Sequence, residues 1–223
     1  QASIQEISEF DFSATDFAGK TIILAHQVAI PTHYWPALEQ FVKLGGKLIA
    51  EGLSGYYDEH AICTWCTTPP MAGMFGAVAS EVKLVGKLVN LTLADGQVLP
   101  AHAWQGILKT TSAQAIAHTD NNTRAVKHVF GRGQVVWIPA LLGLGARVAQ
   151  NYTPLARWLA SELPVSDAIR FSSPHDGLLM KTMESNGRLV SILVNKHTDV
   201  QEVHINGLPD GVDGEIIYRN KHA

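Results

Sequence analysis

A chain of 223 residues with 46% hydrophobic and 17% charged side chains holds enough apolar material for one large core, or for a medium one and a small one. Its net charge of −3 comes with no strongly basic stretch, which argues against nucleic acid as a partner. Its apolar runs fall short of the roughly 18–20 residues that a membrane-crossing helix needs, so no membrane partner is expected.

In chain order, Ile4–Phe12 alternates apolar and polar residues and reads as a strand. Thr21–Ala25 (T-I-I-L-A) is a continuous apolar run, the pattern of a parallel strand covered on both faces. Thr32 is placed to cap a helix that tolerates Pro36 in its first turn. Trp35, Leu38, Phe41 and Val42 then form one buried stripe at helical spacing. Gly45-Gly46 stops that helix, and Lys47–Glu51 is the next strand. Strand, helix and strand with short connections imply a parallel crossover. A tight turn, Gly52-Leu53-Ser54-Gly55, follows the second strand.

Tyr56–Pro70 reads as a long aromatic loop and Pro70–Phe75 as a short helix. From Ser80 to Ile138 the period becomes two. Strands are expected at Val82–Leu93, Val98–Lys109, Ala113–Thr119, Thr123–Phe130 and Gln134–Ile138, separated by Ala94-Asp95-Gly96, Asp120-Asn121-Asn122 and Gly131-Arg132-Gly133. This stretch reads as a β insertion that rejoins the main sheet through Val135–Ile138. Thr153-Pro154 opens a last helix with Leu155, Trp158 and Leu159 on one face, and Pro164 ends it. Beyond it, Ala168–Phe171, Leu178–Glu184, Leu189–Asn195, Val200–Ile205 and Glu215–Tyr218 read as short antiparallel strands of a small β-sandwich. The expected division is 1–164 and 165–223. Gln1 follows no initiator Met or signal-like segment, and the last residues come directly after a strand-like run. The expectation is therefore a segment of a longer polypeptide, and its compartment is left open.

Ser54 is the sharpest candidate for chemistry, because a nucleophile elbow needs small residues around a strained turn. Tyr56 breaks the G-x-S-x-G pattern, and His102, His118 and His128, the available relay partners, fall on expected strands whose alternation explains them equally well. The bland reading is a turn hydroxyl that satisfies local backbone groups. Asp58, Glu59 and His60 form a polar cluster, but adjacent carboxylates point apart, and acid/base work on a sugar needs two that flank the bond. Cys63 and Cys66, with His60 nearby, offer one CxxC where structural zinc uses four ligands, so ordinary cysteines are expected. His26 follows a parallel strand, where ligands often bind, though packing accounts for it as well. Gly131-Arg132-Gly133 reads as a hairpin turn, and Gly143-Leu144-Gly145 lacks the third glycine of a dinucleotide loop. Tyr56, Tyr57 and Trp65 are candidate substrate-binding residues, as a sugar-stacking platform or an interface anchor. No catalytic, cofactor-binding or metal-binding residue is assigned.

The landmarks T-I-I-L-A, F-V-K-L-G-G-K-L-I-A-E, the Ser54-Gly55 corner with Asp58-Glu59, P-M-A-G-M-F-G leading into S-E-V, and F-G-R-G-Q-V-V-W-I-P carry a resemblance. The segment from Asp16 to Pro164 resembles the middle domain of family 42 glycoside hydrolases, the β-galactosidase trimerisation domain. That resemblance implies a flavodoxin-like three-layer α/β sandwich, similar to class I glutamine amidotransferases but lacking their catalytic Cys, with Ser54 standing near that place. It also implies an upstream catalytic barrel as partner, assembly into a homo-oligomer (a trimer), and a small C-terminal β domain. The catalytic carboxylates of such enzymes sit on the barrel, so no residue here inherits their role.

Three functions follow. The first is a non-catalytic assembly segment of an enzyme that cleaves terminal galactosides. The second is a stand-alone amidotransferase-like or serine hydrolase using Ser54. The third is a carbohydrate-binding module using Tyr56, Tyr57 and Trp65.

Overall fold

The computed structural model describes residues 6–66, 70–163, 169–172, 177–185 and 188–208. The chain divides into two compact units, Ile7–Leu163 and a second comprising Pro164–Ala223 with Gln1–Glu6.

The first unit runs β1 (Thr21–Ala25), α1 (Trp35–Lys43), β2 (Lys47–Glu51), α2 (Ala72–Phe75), β3 (Ala77–Leu93), β4 (Val98–Thr110), β5 (Gln114–Thr119), β6 (Asn122–Phe130), β7 (Gly133–Ile138), α3 (Leu142–Val148) and α4 (Thr153–Glu162). Seven strands join in the order β1-β2-β7-β6-β4-β3-β5. β1, β2 and β7 are parallel, with Thr21 opposite Lys47 and Lys47 opposite Gln134. β6 joins β7 antiparallel, with Val126 opposite Trp137. β5 pairs with both β3 and β6, so β3, β4, β6 and β5 close into a four-stranded barrel.

This overturns the flavodoxin-like sandwich. Strands make up 44% of the described residues and helices 20%, so the antiparallel region is the body of the unit rather than an insertion in it. The physical reason lies in edges. A strand run that pairs only locally leaves unpaired N–H and C=O groups, and ring closure through β5 removes most of them. Only the three parallel strands keep the helix-covered α/β arrangement.

The alternation on β2 and β7 sorts two cores. Leu48, Ala50, Val135 and Trp137 face α1 and α2, where they meet Trp35, Leu38, Phe41, Val42, Met74 and Phe75. Ile49, Val136 and Ile138 face the other way, toward Leu91, Leu99, Ala117 and Ala125 of the barrel strands and toward Leu142 and Trp158 of α3 and α4. Period-two side chains on a sheet covered on both faces require this division.

Several local expectations change. Part of Ile4–Phe12 is described, and it forms a 3-10 turn at Glu9–Asp11. None of its described residues lies in a strand, and Phe12 instead packs edge-on against Phe41, ring centroids 6.0 Å apart. β1 pairs with β2 alone and leaves Ile23 40% exposed, so it is an edge strand and is not covered on both faces. Thr32 opens a 3-10 turn rather than capping α1. Gly143 and Gly145, for which the sequence indicated no element, lie in α3.

In the second unit the described elements are β8 (Arg170–Phe171), β9 (Leu178–Ser185), β10 (Arg188–Asn195) and β11 (Ile205–Asn206). β9 and β10 form an antiparallel hairpin, with Ile192 opposite Lys181, and β8 pairs with β11, with Phe171 opposite Ile205. Of the run Val200–Ile205 only its last residue is strand. The expected strand Glu215–Tyr218 lies outside the described residues.

Candidate functional site

The corner after β2 is built by backbone geometry first. Gly52 and Gly55 take positive φ of 63° and 70°. A side chain at position 55 would also strike the Met71 methyl and the Trp35 ring, each 2.6 Å from its Cβ. Glycine is therefore required there twice over, for conformation and for space.

Ser54 between them is fully buried. Its Oγ–H is shared between Glu51 O at 2.7 Å and Leu24 O at 3.0 Å. Its oxygen accepts the Gln27 N–H at 3.1 Å. The hydroxyl thus ties the corner to the end of β1 and has its hydrogen and a lone pair in use. Activation as a nucleophile needs a base in place of one of those carbonyls, and the partners of this oxygen are all backbone groups.

His26 stands beside the corner in a left-handed conformation, φ 59°. Its Nδ1 accepts the Leu53 N–H at 3.0 Å. Burial pushes this imidazole below its usual pKa, which keeps the neutral, accepting form. Glu51 closes the other side. Its carboxylate accepts the Leu142 N–H at 3.2 Å, where α3 begins. Burial raises its pKa, while the Leu142 and Gly143 N–H groups pull the other way. The Ser54 hydroxyl, His26 Nδ1 and the Glu51 carboxylate thereby tie β1, β2 and α3 to one another.

The acidic loop is engaged in the same manner. Glu59 accepts the Thr32 N–H and the Thr32 hydroxyl, both at 2.8 Å. These bonds, the backbone one first, lower its pKa to about 2. Asp58 Oδ1 accepts the N–H groups of His60 and Ile62, both at 2.8 Å. The two carboxylates hold separate turns. Half-buried Cys63 bridges Tyr57 through the backbone, and no group of three metal-ligating side chains occurs among the described residues.

The three candidate aromatic residues form a packed chain. Tyr57 meets Tyr56 edge-on at 4.8 Å, Tyr56 meets Trp65 at 5.3 Å, and Trp65 meets Trp137 at 5.1 Å. Phe75 stacks on Trp137 at 4.8 Å. Trp65 is 6% exposed and Tyr57 37%, so Tyr57 alone offers an open ring. Of the histidines on the barrel strands, His128 is held by Met74 O on Nδ1 at 2.8 Å and by Ser112 Oγ on Nε2 at 2.9 Å. His118 is an exposed partner of Thr123 on β6, and His102 forms a backbone bridge with Leu141. None is among the groups bonded to Ser54.

Sequence reasoning missed the Lys47–Glu162–Lys127 cluster. Glu162, at the end of α4, bonds Lys47 of β2 through one oxygen and Lys127 of β6 through the other, the latter at 3.1 Å. Lys47 also donates to Glu162 O at 2.6 Å. Burial opposes ionisation of Glu162, and the two ammonium groups outweigh it, so its pKa is lowered. The partners lie 115 and 35 residues apart, and no local pattern reports such pairs.

Residues 12–163 match the family described as the β-galactosidase trimerisation domain. No curated protein matches the sequence. Among solved structures, a β-galactosidase from Rahnella sp. R3 is 20% identical with a TM-score of 0.65, covering 82% of this chain and 28% of that one. A β-galactosidase from Bacillus circulans sp. alkalophilus is 16% identical with a TM-score of 0.62, covering 79% and 27%. One from the Antarctic haloarchaeon Halorubrum lacusprofundi is 13% identical with a TM-score of 0.53, covering 78% and 31%. At these identities the likeness is one of fold, and the chain spans less than a third of each of these relatives.

Proposed function

Because this chain belongs to the β-galactosidase trimerisation domain family, matched over residues 12–163, we propose that it is the non-catalytic, self-associating segment of a glycoside hydrolase acting on terminal galactosides. The parent's two catalytic carboxylates lie on an upstream barrel in this reading, and 1–164 and 165–223 act as an association domain and an appended β domain. The observation that carries it is the corner. The Ser54 hydroxyl, His26 Nδ1 and a Glu51 carboxylate oxygen are each engaged with backbone groups, so the serine that the sequence offered as a nucleophile serves as a brace. The aromatic chain supports the same reading, since Trp65 has no open face to stack on a sugar.

The test is to assay the chain on nitrophenyl β-galactoside. No turnover above buffer is expected. Turnover that a substitution at Ser54, Asp58 or Glu59 abolishes would refute the proposal.

A further inference from the structure

Helix α3 leaves an apolar stripe in solvent. Leu144 and Val148 lie four residues apart, 37% and 47% exposed, and Tyr152, 56% exposed, continues the spacing beyond the helix end. Residues at i and i+4 share one side of a helix, so Leu144 and Val148 lie on one side of α3, and Tyr152 follows in the connection that leads into α4. The opposite side is pinned. Leu142, Gly145 and Ala146 are buried, and a Cβ on Gly145 would fall 2.4 Å from Ala101 Cα and from Pro100 O. The helix therefore sits directly on the β4 backbone, and it cannot roll to hide the stripe without lifting off that strand. Exposed Arg147 stands between the stripe residues in sequence. A rigid apolar strip with a polar rim is the usual anatomy of a protein contact.

We propose that the Leu144–Val148–Tyr152 stripe is one half of the surface through which copies of this chain bind each other. The inference rests on the reading that this domain self-associates. The occupant is a second copy because the family to which the chain belongs is described as a trimerisation domain. In a closed three-fold ring each contact is head-to-tail, so the stripe meets a different patch of the next copy rather than the same stripe.

The test uses the 223-residue chain in sedimentation velocity over a concentration series, with Leu144→Asp and Val148→Asp made singly. A self-associating parent whose variants dissociate at about ten-fold or more higher concentration, with unchanged circular dichroism, is the expected result. A self-associating parent whose folded variants assemble as before overturns the stripe and leaves self-association standing. A parent that stays monomeric at every concentration overturns the underlying reading itself. Should either variant misfold, benzoyl-phenylalanine at position 148 decides: photocrosslinking to a second copy supports the proposal, and its absence in an assembled sample refutes it. Crosslinking only to a different protein when the chain is placed in a longer polypeptide also refutes it.

Discussion

Replacing Ser54 by alanine removes one hydroxyl from a fully buried corner, and its cost can be worked from the bonds. The hydroxyl donates to the Glu51 and Leu24 carbonyls and accepts from the Gln27 N–H. Losing the donated bond costs about 1 kcal/mol net, and leaving the part-buried Gln27 N–H without its acceptor adds about 1–3 kcal/mol. The expected loss is therefore about 2–4 kcal/mol. For a chain of this size that corresponds to a fall of roughly 4–16 °C in melting temperature. The assay is urea unfolding followed by tryptophan fluorescence, since Trp35 packs against the corner at Gly55. Ser54→Cys retains a weak donor and acceptor in a somewhat larger side chain and should lose less than the alanine variant. A fluorophosphonate probe should leave Ser54 unlabelled in the parent. A stability change under about 0.5 kcal/mol, the level of an ordinary surface substitution, or a covalent adduct on Ser54, would refute the reasoning.

Other consequences can be measured on the same scale. Gly55→Ala meets both a positive φ of 70° and the Trp35 and Met71 side chains at 2.6 Å, so it should lose more than about 3 kcal/mol; a melting curve within a degree of the parent would contradict the packing described. Trp137→Ala empties the junction of the aromatic chain, where the ring is 1% exposed, and should cost about 3–5 kcal/mol in chemical denaturation. His26 has a lowered pKa in the folded chain, so its contribution is present above its unfolded value near 6.5 and is lost as pH falls through the folded value. His26→Asn, which tolerates the left-handed backbone, should flatten melting temperature against pH just below 6.5. Glu162 also has a lowered pKa. Its contribution is present above an unfolded value near 4.5 and is lost as pH falls through the folded value, so Glu162→Gln should flatten the acid limb there.

Much of the local structure was legible because it is written in nearest neighbours. The stripe Trp35, Leu38, Phe41 and Val42 is buried as its spacing demands. The five strands from β3 to β7 begin and end within a few residues of the turn signals that separate them. What was not legible is what those strands do together. Closure of the barrel depends on Thr92 meeting His118 and on Leu108 meeting Thr123, and alternation looks the same in an insertion as in a barrel wall. The flavodoxin-like expectation failed at that point. α3 was hidden for a different reason. Glycine lowers helix propensity, so Gly143-Leu144-Gly145 gave no helix signal, whereas Gly145 is there to let the helix touch the β4 backbone. At the corner, Ser54 bonds across 30 residues to Leu24 and Glu59 across 27 to Thr32. Sequence marked both residues as notable, and only the folded chain shows that each is a brace.

Whether this domain assembles rather than catalyses is decided by native mass spectrometry of the unmodified chain. A dominant species of three times the mass of one chain, falling apart as the sample is diluted, is expected. A single-chain species at every concentration would contradict it.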